Sequence, residues 1–182
     1  MVKTVAVITG SLRRESINVR LTQALQKLAE GRLQFHALHV GDLPHYNEDL
    51  WADPPESVLR MKDRVEHSDA VLAVTPEYNR SYPGMIKNAL DWGTRPIGEN
   101  SWRGKPAAVI GASAGQISTA VGQSRLKSDM LHVGMVVMSL PEAYIQWHPE
   151  AYGRDGSVLD DKTAIFLGGF VDAFVAWIEK HG

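Results

Sequence analysis

The chain of 182 residues contains no cysteine, and this absence excludes several kinds of chemistry. Disulfides, thiolate-bound metals, iron–sulfur clusters and catalytic thiols all need cysteine. The formal net charge is only −2, so nothing in the overall charge would draw the chain to nucleic acid or to an anionic membrane. The seven histidines are scattered, with no pair at metal-binding spacing on one helix. We therefore expect no metal site and no nucleic-acid partner.

Long apolar segments are also missing. No run approaches the roughly 20 apolar residues that a membrane-spanning helix needs. The first residues, Met1 to Thr4, lack the basic head and the cleavage site of a signal peptide. We therefore expect a cytoplasmic protein without a membrane partner, folded as a single domain over residues 1–182.

Short apolar runs alternate with longer helical patterns along the chain. The strand-like runs lie at 5–8, 33–40, 70–74, 107–110 and 135–138, and the helical patterns at 21–28, 58–65, 85–92, 118–133 and 162–180. Continuous β-branched runs are typical of strands buried on both faces. The alternation predicts an α/β fold, a three-layer sandwich with a five-stranded parallel sheet of order 2-1-3-4-5.

Two segments are long for loops, at 41–55 and 141–160. Long loops in compact domains are often functional. In the alternative reading, both segments are surface loops without a function. The second segment contains Tyr144, Trp147, His148 and Tyr152. Aromatic residues outside a helical pattern suggest a partner surface or a ligand contact.

The turn after the first strand has the composition of a phosphate site. It precedes a helix, whose N-terminus offers unpaired amides and a positive dipole end. Ser11, Ser16 and Asn18 add neutral donors, and Arg13 adds a charged one. The turn matches neither the nucleotide-triphosphate loop nor the Gly-x-Gly-x-x-Gly turn, so a terminal monophosphate such as that of FMN fits best. In the alternative reading, Ser16 only caps the helix.

Two motifs resemble those of the NADPH-dependent FMN reductase family. The first is Gly10-Ser11-Leu12-Arg13 followed by Ser16-x-Asn18; the second is Pro76-Glu77-Tyr78-Asn79 followed by Pro83-Gly84 and Lys87-Asn88-Ala89-x-Asp91-Trp92. The resemblance covers essentially the whole chain and implies a flavodoxin-like fold.

The resemblance also implies a role for individual residues. The first loop would hold the FMN phosphate through Ser11, Arg13, Ser16, the amide of Ile17, and Asn18. The second loop would lie along the flavin ring through Pro76, Glu77, Tyr78, Asn79 and Arg80. After the fourth strand, Ser113 is a further candidate for ring contact, unless that loop is an ordinary turn. Lys87 and Asp91 are more simply explained as an ion pair on one helix face.

The family likeness implies an enzyme that passes electrons from NADPH or NADH through bound FMN to a small-molecule acceptor. Quinones, azo dyes, flavins and chromate are the acceptor classes in this family, and homodimers or homotetramers are common. We expect ping-pong kinetics and no catalytic side chain, because the chemistry belongs to the flavin. For the choice of NADPH, Arg14, Arg80 and Arg103 remain equal candidates. The alternatives are a flavodoxin-type electron carrier and a protein that keeps the fold without redox activity.

Overall fold

The computed structural model describes residues 1–182. Its strands are β1 (Lys3–Thr9), β2 (Leu33–Leu38), β3 (Ala70–Val74), β4 (Pro106–Ser113), β5 (Val136–Val137) and β6 (Tyr144–Gln146). Its α-helices are α1 (Ile17–Leu28), α2 (Glu56–Glu66), α3 (Gly84–Gly93), α4 (Ala120–His132) and α5 (Asp161–His181). The strands pair in parallel in the order β2-β1-β3-β4-β5, which confirms the predicted topology.

Two hydrophobic cores lie on opposite faces of the sheet. Successive residues of β1 alternate between them: Val5 and Val7 pack with α1 and α5, whereas Ala6 and Ile8 pack with α2, α3 and α4. A strand whose side chains are apolar on both faces must be covered on both. The three-layer sandwich therefore follows from the uninterrupted apolar runs. None of the helices is both long and apolar enough to cross a membrane.

The fifth strand is divided into two pieces, which the sequence pattern did not predict. β5 pairs with Pro106 and Ala107, and β6 pairs further along β4 with Gly111 to Ser113. The Met138 N–H still donates to the Ala107 carbonyl at 2.7 Å. The chain then leaves the sheet over a stretch that includes Pro141, which has no N–H to donate to a strand partner. The prediction of a loop over 141–160 is therefore wrong for Tyr144–Gln146. The addition of β6 lengthens the carboxyl edge of the sheet beside Ser113.

The aromatic residues after β6 belong to the core. Trp147 and Tyr152 are 6% and 5% exposed and stack with ring centroids 3.9 Å apart. The guanidinium of Arg20 lies 5.2 Å from the Trp147 ring, and it donates a hydrogen bond to the Tyr152 carbonyl at 3.1 Å. Since both rings pack under α1 and α5, the interpretation of this segment as a partner surface is wrong for these two residues. His148 remains exposed.

The segment 41–55 is fastened to α3 by two residues of the second motif. Asn88 accepts a hydrogen bond from the Tyr46 N–H at 2.8 Å and donates one to the Pro44 carbonyl at 2.8 Å. The Trp92 indole donates to the same carbonyl at 2.8 Å. Asn88 and Trp92 thus link this segment to α3 through three hydrogen bonds.

Candidate cofactor site at the carboxyl edge of the sheet

The loops that carry both motifs meet where β1, β3 and β4 end. The Gly10 N–H donates to the Val74 carbonyl, and the Thr75 N–H donates to the Ile110 carbonyl, both at 2.9 Å. These bonds extend the hydrogen bonding between the strands to the carboxyl edge of the sheet. From β1 the chain turns outward to β2 and then returns across β1 to β3. Such a reversal opens a crevice at the carboxyl ends of the strands, where α/β proteins bind their ligands.

The first loop offers several donors to an anion. Ser16 is the N-cap of α1, is 4% exposed, and accepts a hydrogen bond from the Val19 N–H at 3.3 Å. The N–H groups of Ile17 and Asn18 donate to no acceptor within the protein, and the first turn of α1 has no acidic residue. The positive end of the helix is therefore not neutralised by the chain itself.

Arg13 provides the charge in this loop. Its side chain is exposed and makes no hydrogen bond or ion pair with another residue. Ser11 is half-buried, and its hydroxyl accepts a long hydrogen bond of 3.4 Å from the Arg13 N–H. The capping role of Ser16 and the phosphate role are thus compatible, because the cap uses one amide and leaves two others free.

Asn18 contributes differently from what the motif implied. Its side chain is 1% exposed, and it accepts from the Ala112 N–H at 2.9 Å and donates to the Ala112 carbonyl at 3.0 Å. A side-chain amide carries the same donor and acceptor as a peptide group. The Asn18 side chain therefore bonds to the backbone of β4 in the way that a neighbouring strand would, at a point that β3 does not reach. The backbone N–H of Asn18 donates to no acceptor within the protein and is free for a phosphate.

The second loop forms a tight hairpin. The N–H of each of Tyr78 and Ser81 donates to the carbonyl of the other, at 2.8 and 2.9 Å. Between them, Asn79 and Arg80 have φ of 51° and 63°. Two successive positive φ values define a type I′ turn. Pro76 is buried below it, whereas Tyr78, Asn79 and Arg80 are exposed at the mouth of the crevice.

Glu77 fastens this hairpin to α4. Its carboxylate is only 7% exposed, accepts from the Gly122 N–H at 2.8 Å, and lies 3.4 Å from the Arg80 guanidinium. The N-cap of α4, Thr119, makes no capping side-chain bond. Glu77 therefore supplies the cap and the negative charge that a helix N-terminus favours. A Cβ on Gly122 would lie 3.2 Å from the Ser81 carbonyl, so only a small residue permits this close approach.

The third loop brings Ser113 to the same edge. Ser113 is half-buried; its hydroxyl accepts from the Gly115 N–H at 3.2 Å, and its carbonyl accepts from the Trp147 N–H at 2.9 Å. The buried Ser118 hydroxyl donates to the Ile145 carbonyl at 2.5 Å. These bonds link the loop to β6. Neither link was predicted, because β6 itself carries no clear strand signal.

Gly111 allows the two central strands to come together at the site. A Cβ at this position would lie only 2.0 Å from the Thr75 carbonyl oxygen. The signal was present in the sequence, since a glycine inside an apolar strand often marks a close backbone approach. Next to the hairpin, the Tyr82 hydroxyl donates to Asp129. Burial, together with Asp129, raises the pKa of Tyr82, so this phenol stays protonated.

The chemistry of these groups fits FMN. A phosphate needs charged and neutral donors, which the first loop supplies through Arg13, Ser11 and the free amides of α1. A flavin ring needs a backbone that can approach closely and donate to its polar edge. The N–H groups of Glu77 and Asn79 donate to no acceptor within the protein. The remaining motif pair, Lys87 and Asp91, forms an exposed ion pair as predicted.

Comparison with known proteins identifies the family of this chain. Residues 3–149 match the family model of the NADPH-dependent FMN reductases. A quinone reductase of Pseudomonas putida is 45% identical over 181 residues, which cover 99% of this chain and 97% of the relative. A 2-hydroxy-1,4-benzoquinone reductase of a Burkholderia species is 42% identical over 177 residues, covering 97% of each chain.

Solved structures show the same relationship. FerB, a flavoenzyme NAD(P)H:(acceptor) oxidoreductase from Paracoccus denitrificans, is 76% identical, covers 100% of both chains, and superimposes with a TM-score of 0.99. An archaeal flavodoxin superimposes over 97% of this chain with a TM-score of 0.61 at 14% identity, a likeness of fold alone. The chain therefore belongs to the NADPH-dependent FMN reductase family, and it is an oxidoreductase with FMN as cofactor and NAD(P)H as electron donor.

Proposed function

We propose that this enzyme holds one FMN at the carboxyl edge of its sheet and passes electrons from NAD(P)H to a quinone-type acceptor. The observation that carries the proposal is the N-terminus of α1, where two free amides and an unpaired arginine, Arg13, stand at the switch in strand order. The relatives named quinone reductase support the choice of acceptor.

The residues have separate tasks in this proposal. Ser11, Arg13, Ser16 and the amides of Ile17 and Asn18 bind the phosphate. The hairpin that follows Pro76 lines the ring together with Ser113. When bound, FMN supplies the redox chemistry, accepting a hydride from NAD(P)H and giving two electrons to the acceptor. No side chain needs to act as acid or base, and the carboxylate of Glu77 is already engaged with α4.

One open face of the ring would serve donor and acceptor in turn. Double-reciprocal plots of NADPH oxidation at several benzoquinone concentrations should then give parallel lines. Intersecting lines would mean that both substrates bind together, which contradicts a shared face. Replacing the quinone with an azo dye, chromate or free FMN would rank the acceptor classes. A protein that takes up FMN but oxidises neither nicotinamide nucleotide would instead be an electron carrier of the flavodoxin type.

We further propose that the enzyme is a homodimer or homotetramer in the cytoplasm, where NAD(P)H is produced. The outer face of α4 presents the exposed Leu131. Between α3 and α4 lies a cleft of about 610 Å³ whose lining includes Lys87, Asp91 and Asp129. In a symmetric dimer the same surface of each subunit contacts its copy, and an exposed leucine beside a cleft is a surface that a second copy could cover. Light scattering should give a mass of at least two chains, and a monomer at all concentrations would contradict this.

A further inference from the structure

The three arginines that could bind a phosphate of the electron donor differ in their position relative to the cofactor crevice. Arg103 precedes β4, next to Gly104, whose N–H donates to the Gly134 carbonyl just before β5. It therefore lies at the amino edge of the sheet, opposite the cofactor crevice. Arg14 belongs to the loop that faces the FMN phosphate. Only Arg80 stands on the ring side of the crevice.

The hairpin holds Arg80 in an unusual backbone conformation. Its φ of 63° lies in the left-handed region, where asparagine and glycine are favoured and other residues are uncommon. The paired backbone bonds of Tyr78 and Ser81 and the anchoring of Glu77 on α4 keep it there. Non-glycine residues in this region concentrate at ligand-binding sites. The turn thus fixes the direction in which a long, charged side chain leaves the backbone.

The guanidinium of Arg80 has one weak contact within the protein, and its other hydrogen-bond donors are free. One nitrogen lies 3.4 Å from the Glu77 carboxylate, at the far limit of a hydrogen bond, and the side chain is 57% exposed. A guanidinium has five N–H donors, and the other four have no acceptor within the protein. Because this contact to Glu77 is single and long, it holds Arg80 weakly; the bond from the Gly122 N–H goes to the other carboxylate oxygen. A phosphate could therefore bind without breaking a strong ion pair.

We propose that Arg80 binds a phosphate of NADPH or NADH while the nicotinamide lies on the flavin, and that it is a specificity-determining residue for the electron donor. The inference rests on the proposed function, since it requires the ring to lie along the loop that follows Pro76. Arginine binds phosphate through two parallel N–H donors, with charge assistance. The phosphate is either the 2′-phosphate of NADPH or the pyrophosphate that both dinucleotides share.

The test is anaerobic stopped-flow reduction of the holoenzyme, with three donors and three variants. The donors are NADPH, NADH and reduced nicotinamide riboside, which has no phosphate. The variants are Arg80→Ala, Arg80→Lys and, as a matched loss of an exposed arginine that also pairs with a nearby glutamate, Arg60→Ala. Arg80→Ala should weaken donor binding by roughly 10- to 100-fold, the usual effect of losing a charged hydrogen-bond partner. Arg80→Lys should fall in between, and Arg60→Ala should match wild type.

The pattern across donors identifies the phosphate. A loss with NADPH alone assigns the 2′-phosphate, and an equal loss with NADPH and NADH assigns the pyrophosphate. The riboside should reduce every variant as well as it reduces wild type. Equal losses with all three donors would show that Arg80 only maintains the hairpin, and no loss with any donor would likewise overturn the assignment. A wild-type flavin that no donor reduces would instead refute the proposed function itself.

Discussion

The Asn18→Ala substitution separates a structural role from a phosphate-binding role within one motif. Wild-type Asn18 bridges α1 and β4 through two hydrogen bonds with Ala112, of 2.9 and 3.0 Å, in an environment where it is 1% exposed. Alanine would leave the N–H and the carbonyl of Ala112 buried without partners. Each such group costs about 1–3 kcal/mol, so for the two groups we expect a loss of about 2–6 kcal/mol. That is a large part of the roughly 5–15 kcal/mol that stabilise a domain.

The measurement is urea unfolding of the apoprotein, followed by circular dichroism. Ser11→Ala is the matched control, since its hydroxyl accepts only one long hydrogen bond of 3.4 Å and its loss should change the free energy of unfolding by under about 0.5 kcal/mol. The Asn18→Ala midpoint should fall clearly below both wild type and this control. An unchanged midpoint combined with a loss of FMN affinity would show that the Asn18 side chain binds the phosphate, and our assignment would be refuted.

Three further substitutions test the packing and the electrostatics of the fold. Gly111→Ala places a Cβ 2.0 Å from the Thr75 carbonyl oxygen; overpacking of this kind costs about 1–3 kcal/mol, and a wild-type Tm would contradict the close approach of β3 and β4. Tyr152→Phe should keep or raise Tm, because burial raises the pKa of Tyr152 to about 12 and its hydroxyl has no partner; a lower Tm would reveal a hydrogen bond there. Burial alone would raise the pKa of Asp69, but hydrogen bonds from Thr4 and Lys3 outweigh it and lower that pKa. The Asp69 carboxylate therefore stabilises the fold above the unfolded pKa of about 3.9, and this contribution is lost as pH falls toward the folded pKa. Asp69→Asn should lessen the loss of stability below pH 4, measured by urea unfolding at several pH values. A variant with the same pH profile as wild type would exclude this role.

The sheet and its order were predictable because each strand is a continuous apolar run. Val5 to Ile8 must be covered on both faces, and this requires helices above and below a parallel sheet. β6 was missed because Tyr144–Gln146 is short, and its partner on β4 is remote in sequence. The burial of Trp147 and Tyr152 has the same origin, since only the path of the chain after β6 decides that they lie under α1 and α5.

The motifs lie on loops that meet at one edge of the sheet, but they did not predict what every side chain contacts. The positive end of α1 follows from local sequence, since Ser16 caps the helix and no acidic residue follows in its first turn. Asn18 and Glu77, by contrast, bind backbone groups of β4 and α4, far away in sequence. Such partners depend on tertiary packing, so the same motif pattern is consistent with a ligand contact and with a structural bond.

The central claim is that the N-terminus of α1, with Arg13, holds the phosphate of FMN. Fluorescence titration of the apoprotein with FMN and with riboflavin tests it most directly, because riboflavin lacks only the phosphate. Arg13→Ala should lose roughly 10- to 100-fold in affinity for FMN and bind riboflavin as wild type does. If Arg13→Ala weakens FMN and riboflavin equally, the loop maintains the fold instead, and the phosphate is bound elsewhere.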